Sequence, residues 1–159
     1  MTASAPTLRA ATPADAAVLA RFRAAMFTDM GVAVEAGAEA CWAAYFTDAL
    51  ASGPYRAQLA EVNGQVVAGA GLLVFPAVPT PRDPSARRAH ILGVYTLPAC
   101  RGQGLAAALT LALLRAAKAE GIGSANLNAS AQGYGVYERL GFTPARQPEL
   151  RLNLHEVTL

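Results

Sequence analysis

An apolar, strand-like run from Ile91 to Leu97 gives way to Cys100-Arg101-Gly102-Gln103-Gly104-Leu105-Ala106-Ala107, where the best helical pattern of the chain begins. A strand that turns tightly into a long helix, with another strand beyond it, predicts a crossover that packs the helix on a sheet. Glycine at two turn positions frees the backbone for unusual conformations and lets it approach a ligand closely. The first turn of a helix leaves N–H groups without partners, and the positive end of the helix dipole reinforces them. Phosphate oxygens suit such a terminus. The backbone of Gly102, Gln103, Gly104, Leu105, Ala106 and Ala107 is therefore expected to hold a diphosphate-bearing cofactor.

The spacing Gly102-x-Gly104-x-x-Ala107 also satisfies the loose dinucleotide-binding pattern. A dinucleotide fold puts that turn after its first strand, with an acidic residue about 20 positions on, at the end of the next strand. Here the turn lies mid-chain, and Glu120 falls at the helix end, before Gly121. The next strand-like run ends in Asn128 and Ala129, so an oxidoreductase reading fits less well.

The remaining pattern reads as follows. Leu8 to Ala11 is a short strand; Thr12, Pro13 and Asp15 form a helix start like a capping box. Val18, Leu19, Phe22, Met26 and Met30 recur at helical spacing, and Gly31 ends or bends that helix. A second helix runs from about Glu35 to Leu50, stopped by Ser52-Gly53-Pro54. Tyr55 to Val62 and Gln65 to Phe75 are strands joined by the hairpin signal Asn63-Gly64. Pro76 to Arg88 contains four prolines and reads as a loop. A strand from Ala89 to Thr96, a helix from Gly102 to Glu120, a strand from Ala125 to Asn128, a helix from Gln132 to Leu140 and a strand from Leu150 to Leu154 complete the chain.

The order β-α-α-β-β-β-α-β-α-β predicts an α/β (α+β three-layer) fold, a mixed and mostly antiparallel sheet with helices on both faces. The 159 residues are expected to form a single domain, 1–159. A net charge of +2 and no basic cluster beyond Arg87-Arg88 argue against nucleic acid as a partner. The longest apolar stretch, Leu105 to Leu114, is interrupted by Thr110 and too short for a membrane span. Cys41 and Cys100 form no disulfide framework and lack metal-ligand spacing, so no metal is expected. With no export signal, a cytoplasmic protein is the expectation.

Three segments share one resemblance. Arg101-x-x-Gly104-x-Ala106 is similar to the R/Q-x-x-G-x-G/A signature of the GNAT superfamily of acyl-CoA-dependent N-acyltransferases. Gly135-Val136-Tyr137-Glu138-Arg139-Leu140-Gly141-Phe142 resembles that family's "LYEKLGF" helix, and Gly93-Val94-Tyr95-Thr96-Leu97-Pro98 its fourth strand. Thr7 to Asp15 resembles its opening strand and helix, so the likeness covers nearly the whole chain. It implies a splay between the fourth and fifth strands in which the pantetheine arm of acetyl-CoA lies. It implies that Arg101 belongs to the diphosphate turn, and that the backbone of Val94, Tyr95 and Thr96 pairs with pantetheine amides. The Val94 N–H is the implied oxyanion donor.

Acetyl transfer from a thioester to a primary amine needs a held cofactor, a neutral amine, an oxyanion donor and a proton for the leaving thiolate. By the resemblance, Tyr137 supplies that proton. Ser130 stands seven residues before it, where many members carry an asparagine that contacts the cofactor. No carboxylate occupies the fifth strand, so the candidate base is His90 on the fourth, imidazole being the side chain suited to base work near neutral pH. Asp29 and Glu35 offer acidic contacts for a cationic acceptor. The acceptor pocket is expected from Asp29 to Ala38, Pro76 to Arg88 and the C-terminal strand. The expected reaction is direct attack in a ternary complex on a small amine, in a monomer or a homodimer. The alternative is a non-catalytic acyl-CoA-binding regulatory domain.

Overall fold

Asn63 and Gly64 both adopt left-handed backbone, with φ of 51° and 76°, the geometry of a tight hairpin turn. They join Tyr55–Val62 to Gln65–Pro76, the central hairpin of the protein. The computed structural model describes residues 4–158. Its elements are β1 (Thr7–Ala10), α1 (Ala16–Asp29), α2 (Ala38–Ser52), β2 (Tyr55–Val62), β3 (Gln65–Pro76), β4 (Arg87–Thr96), α3 (Leu105–Ala119), β5 (Ala125–Leu127) and α4 (Tyr134–Arg139). The five strands lie in chain order in one sheet, antiparallel except for the parallel pair β4–β5. Helix α3 covers one face, and α1 with α2 covers the other. This is the expected α/β three-layer architecture.

Several expectations need correction. The C-terminal run expected as a strand, Leu150 to Leu154, forms none; its leucines are exposed and its backbone joins no ladder. Alternation of apolar residues supplies a strand only where a neighbouring edge accepts it. The proline-rich loop is shorter than expected, because β3 extends to Pro76 and β4 begins at Arg87, with Pro76 paired to Arg87. Asp83 anchors that loop. Its carboxylate accepts from the Ser124 hydroxyl and the Ser85 N–H and pairs with Arg88 at 3.0 Å. These bonds hold its pKa below the usual carboxylate range, with the Ser124 hydroxyl the largest cause.

Small side chains bring the layers together. Ala60, Ala68, Ala70 and Ala89 meet Leu105, Leu109 and Leu113 of α3 on one face. On the other, Leu19 and Phe22 of α1 approach Gly69, where a Cβ would lie 3.2 Å from Leu59 and 3.4 Å from Phe22. The buried Tyr55 ring stacks on Phe46, centroids 4.9 Å apart, and lies across Gly71. A Cβ at Gly71 would overlap the Tyr55 hydroxyl.

Three helices end on one device. The N–H groups of Val32, Ile122 and Phe142 reach back to the carbonyls of Phe27, Ala117 and Tyr137, with Gly31, Gly121 and Gly141 in left-handed backbone between. This is the Schellman arrangement, and only glycine takes the middle position without strain. At the start of the first helical segment, Asp15 accepts from the Thr12 N–H at 2.8 Å and from Arg9 at 2.7 and 2.8 Å. Those bonds, Arg9 foremost, hold the Asp15 carboxyl down to about 2.

Two outcomes follow from this packing. Gly71→Ala forces the enclosed Tyr55 ring to move and lowers stability by about 1–3 kcal/mol in urea unfolding. Because the Asp15 pKa is depressed in the folded state, its contribution is complete above the unfolded value near 4 and is lost as pH falls through about 2. Unfolding midpoints measured between those pH values should fall in the parent protein and flatten in Asp15→Asn.

Candidate active site

The ladder between β4 and β5 is short. Ala89, His90 and Ile91 pair with Ala125, Asn126 and Leu127, and there it ends. Strand β4 continues to Thr96 along β3 alone, so its outer edge from Leu92 onward faces an opening. The register against β3 also slips: Leu92 opposes Gly71 and Tyr95 opposes Gly69, so Gly93 and Val94 together face Ala70. Gly93 has φ of 62°, the left-handed residue that such a bulge requires.

The Leu97 N–H donates to the Val67 carbonyl at 2.9 Å, which sets the alternation along this stretch. Tyr95 turns its backbone to β3, whereas Val94 and Thr96 turn theirs to the open edge. The structure thus separates the three residues grouped in the sequence reading. The Tyr95 side chain is buried against Phe22, centroids 5.3 Å apart. The Thr96 carbonyl accepts from Arg101 Nε at 3.0 Å.

Beyond Thr96 the chain makes a short turn at Pro98–Cys100 and reaches the glycine pair. Gly102 and Gly104 both have φ of 76°, and a Cβ at either would meet nothing within 4 Å. Glycine is needed there for conformation, and the space outside is open. The Ala108 N–H is the first to bond inside the helix, to Gly104. Six consecutive N–H groups, from Gly102 to Ala107, have no acceptor among the described residues. They stand at the positive end of the 15-residue α3. The Arg101 side chain is otherwise engaged: it pairs with Asp29 at 2.6 Å and lies over the Tyr95 ring. Asp29 is thereby committed to Arg101 rather than free for a cationic acceptor.

Tyr137 lies on α4, half-buried, its ring edge-on to Phe142 with centroids 6.0 Å apart. Its hydroxyl has no hydrogen-bond partner among the described residues, and burial pushes its pKa up. The Gly141 turn explains the local sequence, since it sends Phe142 back against Tyr137 and into the α3 core. Ser130 Oγ accepts from the Gly133 N–H at 3.1 Å, so this hydroxyl braces the start of α4. A Cβ on Gly133 would press on both Tyr137 and Ser130 Oγ.

His90 Nδ1 lies 2.8 Å from Asn126 Oδ1, across the last rungs of the parallel ladder. Asn126 escaped sequence reasoning because its only signal is register, which needs the sheet. Two clefts border these elements. One of about 260 Å³ lies among Ala125, Leu140 and Gly141–Thr143, and one of about 700 Å³ among α1, Gly64–Val66, Tyr95 and Leu97. Neither is lined by the segments expected to form the acceptor pocket.

The sequence profile of the acetyltransferase (GNAT) family matches residues 21–142. The chain belongs to the GNAT acetyltransferase family. A Clostridium acetobutylicum protein described as a predicted acetyltransferase, solved with acetyl-CoA, is 29% identical, with 96% of this chain and 99% of that one covered and a TM-score of 0.88. A GCN5-related N-acetyltransferase from Ralstonia eutropha is also 29% identical, over 93% of this chain and 99% of that one, with a TM-score of 0.79. A Trypanosoma brucei acetyltransferase shares the fold, at 24% identity, 94% and 100% coverage and a TM-score of 0.70. No match was found among curated proteins. Family and acetyl-CoA-bound neighbour together support acetyl transfer as the general chemistry. Among the described residues no helix is long and apolar enough to cross a membrane, and no three His, Cys, Asp or Glu side chains cluster as metal ligands.

Gly104→Ala tests the turn. A left-handed alanine costs about 1–2 kcal/mol of stability. Relief of that strain would withdraw N–H groups from the ligand, so calorimetry should show weaker acetyl-CoA binding than in the parent protein.

Proposed function

We propose that this protein transfers an acetyl group from acetyl-CoA to a primary amine of a small substrate, by direct attack in a ternary complex. The observation that carries this reading is the run of six N–H groups, Gly102 to Ala107, without an acceptor among the described residues and continuous with the open edge of β4. The first is a cradle for a diphosphate; the second offers backbone groups to an extended amide-bearing arm. Gln103, Leu105, Ala106 and Ala107 take part through their backbone, and Arg101 holds the turn in place through Asp29 and Thr96.

The thioester carbonyl would lie at the bulge, with the Val94 N–H as donor to its oxygen. The amine nitrogen attacks the carbonyl carbon, the tetrahedral intermediate forms, and the carbon–sulfur bond breaks. Tyr137 gives its proton to the departing thiolate. Its unbonded hydroxyl and raised pKa suit a group that holds a proton until a strong acceptor appears. His90 takes the proton of the attacking amine. With Nδ1 donating to Asn126 Oδ1, Nε2 is left as the acceptor. Ser130 acts indirectly, by bracing the α4 turn that carries Tyr137.

The test has two stages. Calorimetric titration with acetyl-CoA should show micromolar binding, with none for NADH. Thiol release with an amine panel should then report turnover, and Tyr137→Phe should lower kcat by about 10²-fold or more while acetyl-CoA still binds. Tight acetyl-CoA binding without turnover on any amine would leave a binding domain; no acetyl-CoA binding would sink the acetyltransferase reading and turn the titration to other acyl-CoAs.

A further inference from the structure

The faces of the sheet divide the reaction. Helix α4 packs beside α3, so Tyr137 approaches from that face. Leu73 and Leu92 pack with the α1–α2 core, and strand alternation puts His90 on the same face as Leu92. The amine is therefore expected from the α1–α2 side.

Among the described residues, one half-buried arginine on that side lacks a counter-ion. Arg23 is half-buried on α1, with its guanidinium 4.9 Å from the Phe27 ring centre and 5.3 Å from that of Trp42. The other half-buried arginines among the described residues are paired: Arg9 with Asp15 and Glu61, Arg56 with Glu120, Arg88 with Asp83. Arg23 forms no salt bridge and no hydrogen bond among the described residues, and its contacts are aromatic. The rings hold the guanidinium without satisfying its donors. A partly dehydrated cation with open donors is a receptor for an anion.

Its position connects it to the reacting centre. Phe22, the preceding residue, stacks on Tyr95 of β4. Phe46, one helical turn beyond Trp42 on α2, stacks on Tyr55. The Tyr55 phenol crosses Gly71 and reaches the neighbourhood of Gly93 at the bulge, 3.9 Å from where a Cβ there would stand. Burial raises the Tyr55 pKa, and the Arg23 charge acts in the opposite direction, which places the two within electrostatic reach. Trp42 packs against the core cluster that holds Phe46 and Tyr55, so aromatic packing extends from beneath the guanidinium towards the bulge.

Resting on the acetyltransferase reading, we infer that Arg23 receives the anionic end of the acceptor, so that the substrate is an amine that also carries a carboxylate or a phosphate. The planar guanidinium suits either group through two parallel hydrogen bonds. Arg23 is then a specificity residue that fixes which amine reaches His90.

Trp42 is the single tryptophan of the chain and touches Arg23, so it reports occupancy without turnover. With CoA bound, alanine is compared with ethylamine, and phosphoethanolamine with ethanolamine. At least one acid-bearing member should change Trp42 emission saturably where its counterpart without the acid group does not; the pair that responds separates carboxylate from phosphate. Arg23→Gln should weaken that response by about tenfold, the loss expected for one charge-assisted hydrogen bond, and Arg23→Lys should recover part of it. In turnover, Arg23→Gln should raise KM for the anionic acceptor and leave the KM for acetyl-CoA unchanged. Silence of Trp42 to both acid-bearing amines, an equal response to the amines without an acid group, or unchanged binding in Arg23→Gln overturns the assignment. Acetyl-CoA affinity is read separately by calorimetry, so failure of the acetyltransferase reading would be seen there and not in the Trp42 titration.

Discussion

Strand β4 outlasts its partner β5, and most of the site is arranged around that mismatch. The parallel rungs end at Ile91 and Leu127, while β4 runs five residues further, to Thr96. Backbone groups inside a sheet need partners, and those on the freed edge must find them in ligand, water or side chains. Arg101 answers for one, the Thr96 carbonyl. The bulge at Gly93–Val94 shifts the alternation at the same place, so the edge is presented where the strands part. The chain then turns through Gly102 and Gly104 into α3, and the open backbone continues as helix-terminal N–H groups.

The layers close around this opening because the central strands carry almost no bulk. Alanine and glycine are poor strand formers on intrinsic propensity, yet β3 reads Val-Val-Ala-Gly-Ala-Gly-Leu-Leu through its middle. Burial on both faces reverses the preference, since small residues let α3 and α1 sit close to the backbone. The same economy lets Tyr55 lie flat across Gly71 and extend a phenol from β2 towards β4, a reach that any side chain at position 71 would block.

Charges are placed with a similar asymmetry. The ion pairs of Arg9 and Arg88 tie the first helical segment and the proline-rich segment before β4 to the sheet, and that of Arg101 ties the glycine turn before α3 to the end of α1. Such pairs on the surface add little stability but fix where a segment lies. Against that pattern, Arg23 has aromatic neighbours in place of a carboxylate, on the face from which an acceptor would come.

The sequence by itself determined the strand–turn–helix at Gly102–Ala107, the Asn63-Gly64 hairpin, the helix ends before Gly31 and Gly121, and the order of the elements as far as α4. Those features are local: positive φ needs glycine, helix ends need caps, and periodicity reports which residues face a core. Tertiary structure alone decided that Leu150 to Leu154 joins no strand, that Gly93 is a bulge, that Thr96 rather than Tyr95 turns its backbone outward, and that His90 stands beside Asn126. It also decided that Asp29 serves Arg101 and that Arg23 lies between the aromatic rings of two helices. Each of these depends on register or on contact between segments distant in the chain, and a one-residue change of register reverses which groups face the site.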